Sequence, residues 1–132
     1  MRYLLACLML IAPAALAEER LITGEEFRRF AEGWSLHFED RNGDHFGSEQ
    51  YFSNGQSVWL PEGGQCERGV WAQDGPKICF LYAVGIACWL VYQDGDNLRA
   101  VAADEEDIDD PLELFLTKRD KTPVICPEGP SV

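Results

Sequence analysis

From Ile78 to Tyr92 the chain carries fifteen consecutive residues without a charge, almost all apolar, with Cys79 and Cys88 near the two ends. Such a run could be a membrane-spanning helix, a buried helix, or two strands folded against each other. As a helix it would extend only ~22 Å, short of the ~30 Å hydrocarbon core of a bilayer. Asp-Gly turn signals bound it on both sides, and Gly85 interrupts it near the middle. Its Ile, Val, Phe, Tyr and Trp content suits a pleated surface. The pattern predicts a β-hairpin, Lys77–Tyr82 and Ile86–Gln93, turning near residues 83–85. Both faces of these strands are apolar, so the pair is expected to be central and the most buried in its sheet.

The rest of the chain has one helical signal. In "LITGEEFRRFAEGW", Thr23 and Glu26 form a T-x-x-E capping box, Ile22 and Phe27 a hydrophobic staple, and Gly33 a stop. Phe27, Phe30 and Ala31 share one face, enough to dock a short helix on an apolar surface. From Trp34 the period becomes two: Trp34, Leu36 and Phe38 alternate with Ser35, His37 and Glu39. Asn42-Gly43 and Asn54-Gly55 then supply tight turns, and further turn signals recur every ten to fifteen residues. "LELFLTK" reads as a last short strand or a helical turn. The expected fold is all-β: a single antiparallel meander forming a small barrel or rolled sheet, with a short N-terminal helix.

The opening "MRYLLACLMLIAPAALAEER" has a positive Arg2, an apolar stretch from Tyr3 to Ala12, and Ala15-Leu16-Ala17 before Glu18. This is the pattern of a signal peptide, residues 1–17, cleaved after Ala17 for export to the periplasm. The apolar stretch is too short for a spanning anchor, and only six residues precede Cys7, too few for a lipoprotein signal. Residues 18–132 then make one domain, with an acidic loop at 104–110 and an irregular tail from 120. The whole chain has a net charge of −12, and removal of Arg2 makes it −13. That field disfavours nucleic acid and anionic lipid and favours a basic protein partner. No stable membrane insertion is expected, and the oligomeric state is left open.

Once Cys7 is removed, Cys66, Cys79, Cys88 and Cys126 remain, an even number in an exported chain, which reads as two disulfides. The intervals between them are 12, 8 and 37 residues, without a C-x-x-C pair, unlike a zinc site. A hairpin centred between Ala83 and Val84 sets Cys79 opposite Cys88 at bridging distance. Cys66 and Cys126 then pair by exclusion. A one-residue slip of the turn would undo this assignment.

The combination of T-G-x-E at the start of a helix, then "EQYFSNG", "GVW", "ICFLY", "CW" and "QDGD", resembles a group of small secreted alphaproteobacterial proteins of unknown function with a G-x-W … I/L-C-F-x-Y … C-W pattern. The likeness spans about residues 22–97. It implies an antiparallel, barrel-like or rolled sheet and a Cys79–Cys88 bridge, and no activity. Cys66, Cys126 and the acidic segment lie outside the shared pattern.

Little catalytic chemistry is visible. His37 falls opposite Ser48 and His45 opposite Asp40, the two do not converge, and neither has a plausible nucleophile in register. Asp40, Asn42 and Asp44 have the spacing of a calcium loop, but His45 stands where glycine is needed and Tyr51 where glutamate is. Neither metal, cofactor nor catalytic residue is assigned. Trp34, Trp59, Trp71 and Trp89 are core residues first and lining of a ligand pocket second. The acidic residues Asp104, Glu105, Glu106, Asp107, Asp109 and Asp110 are candidates for docking a cationic partner. The leading expectation is a non-enzymatic periplasmic accessory or inhibitor-like protein that binds a basic envelope protein through its loops and this segment. The alternative is a β-barrel that binds a small ligand.

Overall fold

A computed structural model describes residues 11–13, 18–104 and 109–127. The elements run β1 (Arg20–Leu21), α1 (Gly24–Ala31), β2 (Ser35–Glu39), β3 (His45–Tyr51), β4 (Gln56–Pro61), β5 (Glu67–Asp74), β6 (Lys77–Tyr82), β7 (Gly85–Asp94), β8 (Asn97–Ala102) and β9 (Glu113–Asp120). All strand pairings are antiparallel. Strands β2 to β8 follow one another as a meander except that β9 inserts between β2 and β8, and a β7–β8 pairing closes the ring. The product is an eight-stranded barrel, β2–β9. Closure removes the exposed edges that an open sheet would leave.

Closure depends on the ten-residue length of β7. Residues 85–89 pair with β6, and residues 89–94 pair with β8 on the opposite side. The β6 side of β7 is continued by β1, where Arg20 pairs with Gln93 and Leu21 with Tyr92. The hairpin of the apolar run is present, and its register sets Cys79 against Cys88. Their α-carbons are 4.0 Å apart and the disulfide is formed. The second disulfide, Cys66–Cys126, holds the C-terminal segment to the loop before β5. The same segment is tied down where the Val124 N–H donates to Gln50 Oε1 at 3.0 Å and Ser35 Oγ donates to the Thr122 carbonyl at 2.6 Å.

One expectation is corrected. The β6–β7 hairpin is not the most buried part of the sheet: Leu81 is 53% exposed and Ile86 64%. A closed barrel has no central strand. Each strand turns one face to the lumen and the other outward, and burying both faces would take a second layer that this fold lacks.

Helix α1 seals one end. Thr23 Oγ1 accepts from the Glu26 N–H, and the Glu26 carboxylate accepts from the Thr23 N–H, completing the capping box. Phe27 sits edge-on to Tyr51 and Trp71, with ring centroids 5.3 and 5.2 Å away. The Gly33 N–H donates to the Tyr51 carbonyl, fixing the helix exit to the end of β3. The opposite end carries the connections 40–44, 62–66 and 83–84, together with residues 103–104 and 109–112, and is open. Among the described residues no helix is long and apolar enough to cross a membrane.

Candidate functional site

Strand alternation decides what faces the lumen. On β3 the inward set is Gly47, Glu49 and Tyr51; on β6 it is Ile78, Phe80 and Tyr82; on β7 it is Ala87, Trp89 and Val91. Eight strands enclose just enough space for side chains or one small ligand. Alanines at 87 and 100 leave part of that space unfilled, and a cavity of about 340 Å³ remains. It lies within the usual size range of small-molecule sites. Phe38, Phe46, Trp59, Phe80, Trp89 and Leu114 contribute its apolar wall. Gly47 makes room for Trp59: a Cβ at that position would stand 2.4 Å from the indole. The mouth is apolar too, with Val84 79% exposed beside Ile86 and Leu112.

Set into this wall is one buried carboxyl group. Glu49 is 5% exposed. The Tyr82 hydroxyl donates to its Oε1 at 2.7 Å, and the Tyr51 hydroxyl approaches Oε2 at 3.5 Å. Desolvation pushes the Glu49 carboxyl up to about 7, against the opposing effect of these hydroxyls; the nearby Glu67 adds a small upward push. Burial likewise raises both tyrosines. Ser57 lies near enough to favour the charged carboxylate, yet its buried Oγ makes no hydrogen bond to any described residue. The two carboxylates that line the cavity are Glu49 and Glu67, and no Lys, Arg or His lines it among the described residues.

The four tryptophans separate. Trp59 and Trp89 line the lumen, and Trp71 packs beneath α1 with the Arg28 guanidinium 4.6 Å from its ring centroid. Trp34 lies at the closed end, with Arg119 3.6 Å and Lys121 4.6 Å from its centroid. Of the acidic segment, Asp104 accepts from the Cys88 N–H, Asp110 pairs with Arg41, and Asp109 is exposed. Glu105, Glu106 and Asp107 lie outside the described residues. Asp40 Oδ1 accepts from the Asn42 and Asp44 N–H groups, as a turn requires.

The β2–β3 register pairs His37 with Ser48 as expected, which gives His37 a hydroxyl within reach, but it pairs His45 with Glu39 rather than Asp40. Ser48 Oγ is 2.7 Å from its Nδ1, and Asp120 Oδ1 is 3.2 Å from its Nε2. The three residues cross β3, β2 and β9 on the outer wall. Asp120 also accepts from the Thr122 N–H and lies 3.3 Å from Lys118 Nζ. The Asp120 carboxyl is therefore held below its usual range, first by His37. His45 is separate, 3.7 Å from Glu62.

Glu49 was not singled out from the sequence, although a signal existed. In "SEQY" it shares strand phase with Tyr51, which places a carboxylate on an apolar face. Its tyrosine partner Tyr82 is 33 residues away and could not be read locally. In comparisons with known proteins the chain matches no family model, no curated protein and no solved structure.

Proposed function

We propose that the protein is a non-enzymatic binding module whose barrel lumen takes up one small, largely apolar molecule. The observation that carries this reading is a lumen sealed by α1 at one end, open at an apolar mouth at the other, with a single buried carboxyl in its wall. A few polar groups in an otherwise apolar concavity are what a small-ligand site requires. The two disulfides point to an oxidising, exported compartment. The periplasm, reached after cleavage following Ala17, is the compartment we propose.

The test is a titration with 1-aminoanthracene, a small neutral fluorophore at pH 8. Saturable one-to-one enhancement is expected for the native protein, and its loss in Ala87→Trp, which fills the lumen near its mouth. Absence of enhancement, or equal binding by a folded Ala87→Trp protein, overturns the reading.

A basic protein partner is a second proposal, favoured by the position of the acidic segment. Asp104 follows β8 and Asp110 stands two residues before Leu112, so both flank the same open mouth. Salt-sensitive capture of a specific partner, lost when residues 104–110 are neutralised, would support it.

A further inference from the structure

Resting on the ligand-binding reading, we infer that the lumen selects an apolar molecule bearing a protonated or quaternary amine, whose cationic head is received by Glu49 among the aromatic rings. Three features of the structure converge on this ligand class.

The first is the donor and acceptor inventory of the cavity. A bound head group meets the carboxylates of Glu49 and Glu67 and no side-chain cation among the described lining residues. A fatty acid or other anion would face like charge in a desolvated site, where repulsion is poorly screened. An ammonium group supplies the missing opposite charge, and a charge-assisted hydrogen bond to a buried carboxylate is among the stronger polar contacts.

The second feature is the aromatic wall. Phe46 and Trp59 stand with ring centroids 6.0 Å apart, Tyr82 stacks on Phe80 at 6.1 Å, and Trp89 lines the same cavity. Ring faces attract cations, and a cage of several rings beside one carboxylate is a recurring way to hold ammonium groups.

The third is the field at the entrance. Asp40, Asp44, Glu62 and Asp109 lie in the connections at the open end. Arg41, the cation of the first of these, is already paired with Asp110 and Glu113. Arg68, next to Glu67, lies on the outward face of β5. A low-dielectric mouth whose rim carries more negative than positive charge concentrates cationic ligands.

The groups facing Glu49 are Tyr51 on its own strand, Ser57 on β4, Glu67 on β5 and Tyr82 on β6. None is cationic. Glu49 and Glu67 together set the charge that the ammonium head meets, and titration of Glu49 changes it by one.

The experiment displaces 1-aminoanthracene with three molecules sharing one alkyl chain: octylamine, octanol and octanoate. Octylamine is expected to compete roughly tenfold better than octanol at pH 8, with octanoate the weakest, as one charge-assisted contact predicts. Glu49→Gln should remove most of the amine's advantage while octanol is little affected. In the native protein that advantage should shrink between pH 8 and pH 5, as Glu49 takes up its proton near 7. This readout holds whether or not the variant folds. Octanoate competing as well as octylamine overturns the inference, as does an amine advantage that ignores pH or survives in folded Glu49→Gln. Failure of 1-aminoanthracene itself to bind overturns the ligand-binding reading instead.

Discussion

Glu49 makes folding stability depend on pH in an unusual direction for a carboxylate. Its proton leaves at about 7 in the folded protein but near 4.5 in the unfolded chain. Between those values the folded state binds more protons than the unfolded state. The contribution is therefore intact below about pH 4.5 and is lost as pH rises through about 7. By linkage the native protein should lose about 2 kcal/mol more stability than Glu49→Gln between pH 5 and pH 8. Urea denaturation of both proteins at the two pH values measures this, and parallel behaviour would show that Glu49 does not carry the effect. The strand phase of Glu49 was legible in the sequence, but its desolvation was not. How wet a side chain is depends on neighbours contributed by strands across the barrel, among them Tyr82 and Trp59.

At the scale of elements, local signals were the dependable ones. The capping box, the staple and the glycine stop are contained within one short stretch, and α1 forms there. Because α1 closes the lumen, its cap has consequences beyond the helix. Thr23→Ala should cost about 1 kcal/mol through loss of the hydroxyl that accepts from the Glu26 N–H. Thermal denaturation should show a lowered midpoint with the barrel's far-ultraviolet signal preserved below the transition. The β6–β7 hairpin was equally legible because an apolar run between Asp-Gly turns encodes its own pairing, and the Cys79–Cys88 bridge followed from that register. The burial of that hairpin was not legible. Leu81 and Ile86 look like core residues by composition, and only the curvature of the closed sheet turns them outward. The Ser48–His37–Asp120 alignment escaped for a related reason. The β2–β3 hairpin brings the first two residues together, but Asp120 arrives from β9, 83 residues along the chain from His37.

For the molecule as a whole, the two disulfides should contribute unequally. Cys66–Cys126 spans 60 residues and Cys79–Cys88 spans 9. On the chain-entropy argument, replacing the first pair by serine should cost about 4 kcal/mol and the second about 3. Urea denaturation of the two double variants tests the order. A larger loss from Cys79→Ser/Cys88→Ser would mean that the short bridge does more than restrain a hairpin already held by its strand ladder. The long bridge also anchors the chain end beside the outer wall of β3, where Val124 meets Gln50.

The sequence by itself determined the all-β class, the capped helix and the hairpin, and it pointed to both cysteine pairings, which the structure then fixed. Each rests on alternation, turn chemistry or elimination among a few residues. The tertiary structure alone decided that the meander closes, that β9 inserts between β2 and β8 to close it, and that space is left inside. The physical reason is that closure and cavity volume are collective. They depend on the summed tilt and stagger of eight strands and on which side chains meet across the lumen, and no local stretch of sequence contains that sum.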